Sequence, residues 1–172
     1  TDIARAKEAE RLRLLDKSPD TNWLAMLAQR PLKELADKTG QSAFISKFDG
    51  TSVRSITCVA PDTPVRTYVM PGMAMPVHAT ASAKAILAFQ PEDVQSRMLS
   101  SELPKLTDKT KISIPELLHE FSIIKEQGYA TDLAEHVAGL GSIAVPIRVP
   151  QLAVAYAVGL TGPYSRIIEQ DF

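Results

Sequence analysis

Residues 42–59 read SAFISKFDGTSVRSITCV. Ala43, Phe44, Ile45 and Phe48 precede Asp49-Gly50, and Val53, Ile56, Cys58 and Val59 follow it. Asp-Gly between two apolar runs is a strong hairpin signal, because glycine reaches the positive φ of the turn at no steric cost. Two antiparallel strands are expected here, and the rest of the chain has to fit around them. Upstream, Trp23, Leu24, Leu27, Ala28, Leu32, Leu35 and Ala36 recur at three- and four-residue spacing. That pattern predicts a helix capped by Asp20 or Thr21, apolar on one side, bent by Pro31 and ended near Lys38 by Thr39-Gly40. Ser18-Pro19 separates it from an earlier helix over residues 3–17, whose Arg, Lys and Glu side chains alternate in sign as on a solvated face rather than a DNA-reading one.

Downstream, Pro61 and Pro64 close the hairpin unit, Val65 to Met70 is a short strand candidate, and Pro71-Gly72 turns the chain. A helix is expected from Thr80 through Ala88. Pro91 opens another, and Pro115 a third, with Leu117, Leu118, Phe121, Ile123 and Ile124 as its buried side and Gly128 as its stop. Ile143–Val149 and Ala153–Leu160 read as two adjacent strands. There is no internal repeat. The order of elements describes an α+β domain with an antiparallel sheet.

Composition narrows the function classes. A chain of 172 residues, 45% hydrophobic and 23% charged, suits one globular domain, and 19 basic against 20 acidic groups leave no positive field for gripping a phosphate backbone. Cys58 is the single cysteine, which rules out an internal disulfide and a cysteine-based zinc site and suits a reducing compartment. No apolar run approaches the roughly 18 residues that span a bilayer. The chain reads as cytoplasmic, with no membrane partner.

Signals for catalysis are sparse. No Gly-x-Ser-x-Gly elbow exists, Ser82 and Ser142 lie among small residues, and Cys58 sits in an apolar strand as a core side chain. Gly139-Leu140-Gly141 lacks the third glycine of a nucleotide loop. Asp132, Glu135 and His136 fall close together, and with His78 they are candidate ligands for a divalent ion or an acid and base pair; the alternative is a solvated acidic loop. A third feature is the segment from Met70 to Ala85. Its small residues at 79, 81, 82 and 83 suit either an anion held by the N–H groups at a helix start, beside the apolar Met70, Met73 and Met75, or simple close packing.

The run Pro76-Val77-His78-Ala79-Thr80-Ala81-Ser82-Ala83-Lys84-Ala85-Ile86-Leu87-Ala88 resembles the L-P-x-H-A-T-A-x-G-K-A-x-L-A segment of the IclR-type transcriptional regulators. Gly128-Tyr129-Ala130-Thr131-Asp132, with Glu135, Gly139 and Ile143-Ala144-Val145-Pro146-Ile147, resembles their G-Y-A-x-D-x-x-E…G…I-A-x-P-I, and Thr161-Gly162-Pro163 resembles the S-G-P after their last core strand. Motifs in this order, spread from Leu24 to Pro163, are far more specific than any one alone. The resemblance implies a GAF-like effector-binding domain over residues 21–172, an antiparallel sheet flanked by helices. Residues 1–20 would be a linker or interface helix, and the winged-helix DNA-binding domain would be absent from this chain.

It also implies a site for a small organic acid, with Met75 and Leu140 on the apolar wall and Ala81 and Ser82 holding the carboxylate. Asp132, Ser142, Gly159 and Thr161 would supply or flank the polar contacts. Ser142 stands where many members have cysteine, Gly159 where some have serine, and Ala83 where glycine is usual. The turn Val149-Pro150-Gln151-Leu152 also lacks the common Asp-x-x-Gly. The implied role is allosteric control of a repressor or activator, without catalysis, cofactor or metal, in a homodimer or tetramer that meets operator DNA only through the winged helix. Two other readings remain: an enzyme acting on a small acid, and a ligand-blind oligomerisation domain.

Overall fold

The computed structural model describes residues 21–64, 66–100, 102–148 and 153–169 of the chain. The helix expected over residues 3–17 and the turn at 149–152 lie outside them. In order, the elements are α1 (Asn22–Thr39), β1 (Ser42–Phe48), β2 (Val53–Val59), α2 (Ala81–Leu87), α3 (Glu92–Leu99), α4 (Ile114–Gln127), β3 (Ala130–Leu133), β4 (Leu140–Ile147), β5 (Tyr156–Pro163) and α5 (Tyr164–Ile168). The strands make one sheet in the order β2-β1-β5-β4-β3, antiparallel throughout. The expected α+β architecture is the one observed, and the two late strands are neighbours.

The β1–β2 hairpin forms where Asp49-Gly50 placed it. Gly50 takes φ 95°, and Asp49 Oδ1 accepts the N–H of Thr51 at 2.8 Å and of Ser52 at 2.7 Å. α1 lays Ala28, Leu32 and Ala36 on one sheet face, against Ala43, Ile45, Ile143 and Leu160. The opposite face carries α2, α3 and α4, with Phe44, Ala144 and Ala157 of the sheet packed against Ile86, Leu99, Leu117 and Phe121. Among the described residues no helix is long and apolar enough to cross a membrane.

Several expectations need correction. Residues 66–70 form no strand: the hydroxyls of Ser42 and Ser55 take the carbonyls of Thr67 and Met70, and the Val69 N–H donates to Cys58 Sγ. The free edge of β2 is met instead by the chain after the Pro71-Gly72 turn, through Gly72 N–H to Ser55 O at 2.8 Å and Met75 N–H to Val53 O at 2.9 Å. Of the late strands, β4 begins three residues earlier than expected and β5 three residues later, because their ladder runs on through Gly141, which faces Gly162 in register, to Leu140 opposite Pro163. α1 continues through Pro31 as one helix, and its apolar residues divide between two sides. Trp23 and Leu27 stand 53% and 68% exposed, one four-residue ridge away from the buried Ala28, Leu32 and Ala36. Of the side expected to be buried on α4, Leu118 and Ile123 are exposed.

Candidate functional site

α2 is buried along its whole length and packs over β1, β5, β4 and β3. Such close approach needs small side chains, and Ala81, Ala83 and Ala85 share one core cluster with Ala144 and Ala157 of the sheet. Beneath α2, the strand registers bring Ser42, Thr161, Ser142 and Asp132 into one row across β1, β5, β4 and β3. The next row is Phe44, Gly159, Ala144 and Ala130. Expected site residues from distant stretches of sequence therefore meet on a single face. Leu140 lies at the end of β4 opposite Pro163, half-buried. Met75 lies apart from the row, beyond the β2 edge, but shares its core cluster with Ala81 and Phe44.

The polar atoms are mostly engaged. Ser46 Oγ–H donates to Ser82 Oγ at 3.0 Å, so the Ser82 hydroxyl faces the sheet, and both Ala81 and Ser82 are fully buried. Thr80 does not cap α2, since its hydroxyl donates to Pro76 O at 2.9 Å. Thr161 donates to Gly141 O at 3.1 Å. Asp132 Oδ1 accepts the N–H of Glu135 at 2.8 Å and of His136 at 3.2 Å, while Ser142 reaches Oδ2 only at 3.5 Å. That second oxygen is the most weakly engaged strong acceptor in the row.

Burial pushes the Asp132 carboxyl up from 3.8 to about 6; the two N–H groups and Lys84 pull it down, while Glu135 adds to the rise. A native carboxyl that holds its proton more tightly than the unfolded one is best tolerated at low pH. Its contribution to stability therefore falls as pH rises from about 4 to about 6, by roughly 3 kcal/mol for a shift of this size. Asp132→Asn keeps an oxygen for both N–H groups and removes the charge. We expect urea unfolding at pH 4–8 to lose this slope in Asp132→Asn, which should exceed the parent in stability at pH 7.5. Identical slopes would mean that Asp132 is not the titrating group.

The proposed ion ligands disperse. Glu135 turns to Lys84, His78 Nε2 donates to Pro104 O at 2.9 Å, and among the described residues no three His, Cys, Asp or Glu side chains gather to hold a metal. His136 meets Asp132 through its backbone, and burial, helped by the charge of His78, pulls its ring pKa down. Cys58 is buried, and that burial pushes its thiol up, as befits a core side chain.

Sequence reasoning missed Lys84. Its side chain is 0% exposed, and Nζ contacts Glu120 at 2.8 Å and Glu135 at 2.9 Å; Lys111 closes the group on Glu120 at 3.1 Å. The signal was available: one cation among small apolar residues on a helix with no polar face must find a buried counter-charge. A cavity of about 530 Å³ opens nearby, between Lys105–Asp108 and the His136–Ala138 end of the turn that follows Asp132.

Comparison with known proteins gives this geometry its context. Residues 20–172 match the family described as bacterial transcriptional regulator IclR C-terminal. The HTH-type transcriptional repressor AllR of Escherichia coli K12 is 35% identical over 109 residues, 63% of this chain and 40% of AllR. An IclR-type regulator from Silicibacter sp. TM1040 superimposes with a TM-score of 0.81 at 25% identity, over 91% of this chain and 62% of that one. The inducer-binding domain of PobR from Acinetobacter, a double mutant in complex with 3-hydroxybenzoic acid, shares the fold at TM-score 0.75 and 24% identity, over 85% of this chain and 89% of that one. The chain thus spans well under two thirds of the curated relatives it matches. From its fold and the family match across nearly its whole length, it belongs to the IclR family of bacterial transcriptional regulators and corresponds to their C-terminal domain.

Proposed function

We propose that this domain senses a small carboxylic acid, held between α2 and the sheet against Asp132, Ser142 and Thr161. Ala81, Ser82, Gly159, Leu140 and Met75 form its surroundings. The observation that carries this reading is the polar row itself: four strands place Ser42, Thr161, Ser142 and Asp132 side by side on the buried face. Within that row Asp132 Oδ2 is held only by Ser142 at 3.5 Å, which leaves it the acceptor best able to take a hydrogen bond from a protonated acid or a hydroxyl of the ligand. The acid enters by the cavity at Lys105–Asp108 and His136–Ala138 and acts on DNA affinity through a separate N-terminal winged helix, in a homodimer or tetramer. Such control requires that the acid bind one domain arrangement more tightly than the other. The acid-binding PobR domain, with the same fold, supports this class of ligand.

The test is thermal unfolding with a panel of carboxylates from acetate and pyruvate to benzoate. An acid present at a hundred times its Kd should stabilise the domain by about 2.7 kcal/mol. Ser142→Ala and Thr161→Val should cut that shift while leaving the acid-free Tm within a few degrees. Absence of any shift across the panel favours a ligand-blind oligomerisation domain.

A further inference from the structure

We propose that Lys84 is the positioning residue of the effector site: through Glu135 it fixes the turn that orients Asp132 and sets the charge Asp132 presents to an acid. This rests on assigning Asp132 to the site. Lys84 lies inside the core, the one charged side chain on a helix that otherwise uses Ala, Ile, Leu and Ser82. A buried ammonium is an expensive way to fill space, so its place is explained by what it holds. It grips Glu135 through both carboxylate oxygens, at 3.0 and 2.9 Å. The N–H of the same Glu135 donates to Asp132 Oδ1.

The turn between them is held by more than its own hydrogen bonds to Asp132 Oδ1. Ala134 has φ 62°, a conformation that a side chain bearing a Cβ seldom adopts. Thr107 Oγ1 donates to Ala134 O at 2.7 Å and Thr110 Oγ1 to Glu135 O at 2.6 Å, fastening the backbone from outside. Lys84 fastens it from inside and bears with its charge on Asp132, whereas Lys111 reaches Glu135 only at 3.5 Å. The groups around Asp132 are Lys84 from α2, Glu135 and His136 from the turn, and Ser142 from β4. Behind Glu135, Glu120 of α4 and Lys111 balance the network. Removing Lys84 leaves negative charge in excess beside Asp132; removing the charge of Glu135 leaves positive charge.

The decisive measurement follows the Asp132 carboxyl by carbon-13 NMR across pH in the parent, Lys84→Arg, Lys84→Met and Glu135→Gln. Lys84→Met should raise the Asp132 midpoint by about one pH unit or more, Glu135→Gln should lower it, and Lys84→Arg should restore the parent value. Any acid of the panel that binds should show its pH profile displaced in the same directions. Should Lys84→Met fail to fold, Lys84→Met/Glu135→Gln must titrate above Glu135→Gln alone. Shifts of one sign in both single variants, or none, overturn the proposal and leave a purely structural ion pair. If the midpoints move in opposite directions but neither acetate, pyruvate nor benzoate binds the parent, the positioning role stands and the effector reading falls.

Discussion

Replacing Lys84 by methionine is expected to cost the domain about 3–5 kcal/mol of stability, because it strands carboxylates in the core. The side chains of Glu135 and Glu120 are 5% and 15% exposed, and without Lys84 they share only Lys111, itself 30% exposed and 3.5 Å from Glu135. Methionine fills nearly the same volume, so a cavity adds little; the loss is electrostatic. Domains of this size typically hold about 5–15 kcal/mol in all, and the unfolding midpoint in urea should drop by roughly 1–3 M. Lys84→Met/Glu135→Leu removes one stranded charge and should recover much of the loss, so that the double-mutant cycle reports strong coupling. A loss below about 1 kcal/mol for Lys84→Met would mean that the carboxylates reach water, and that the network is not closed as described.

What the chain discloses before folding follows the range of the interactions involved. The hairpin at Asp49-Gly50 and the stop at Gly128 depend on neighbouring residues, and both form where expected. Asp132 stands out locally as part of an acidic cluster with Glu135 and His136, but its place beside Ser142 and Thr161 is expected only through family motifs, since nothing local says that the three line up. Ser42 belongs to the same row, yet its membership requires β1 to pair with β5, a contact between the two ends of the domain. Local periodicity also cannot tell which apolar side of a helix meets the sheet. On α1 both Leu32 and Leu27 fit the pattern, but the sheet covers only the side of Leu32. The strand expected at Val65–Met70 failed for a related reason: its carbonyls went to serine side chains from β1 and β2 that sequence spacing does not reveal.

The pair Phe44 and Gly159 should show the second large effect. Phe44→Ala is expected to cost about 3–5 kcal/mol, since the ring is 1% exposed and lies at the centre of the α2 side of the core. Gly159→Ala should cost about 1–3 kcal/mol by the opposite route, overpacking. A Cβ at 159 would stand 2.5 Å from Phe44 Cζ and 2.7 Å from Cε1, with Ile143 O at 3.2 Å behind it. The ring therefore occupies the space in which a side chain at 159 would lie, and this accounts for the glycine. In Phe44→Ala/Gly159→Ala the new methyl group enters room that the lost ring has vacated. The combined cost should fall below the sum of the two single costs by at least about 1 kcal/mol, read from urea unfolding of all four proteins. Simple additivity would show that the ring has another resting place and that Gly159 answers to some other constraint.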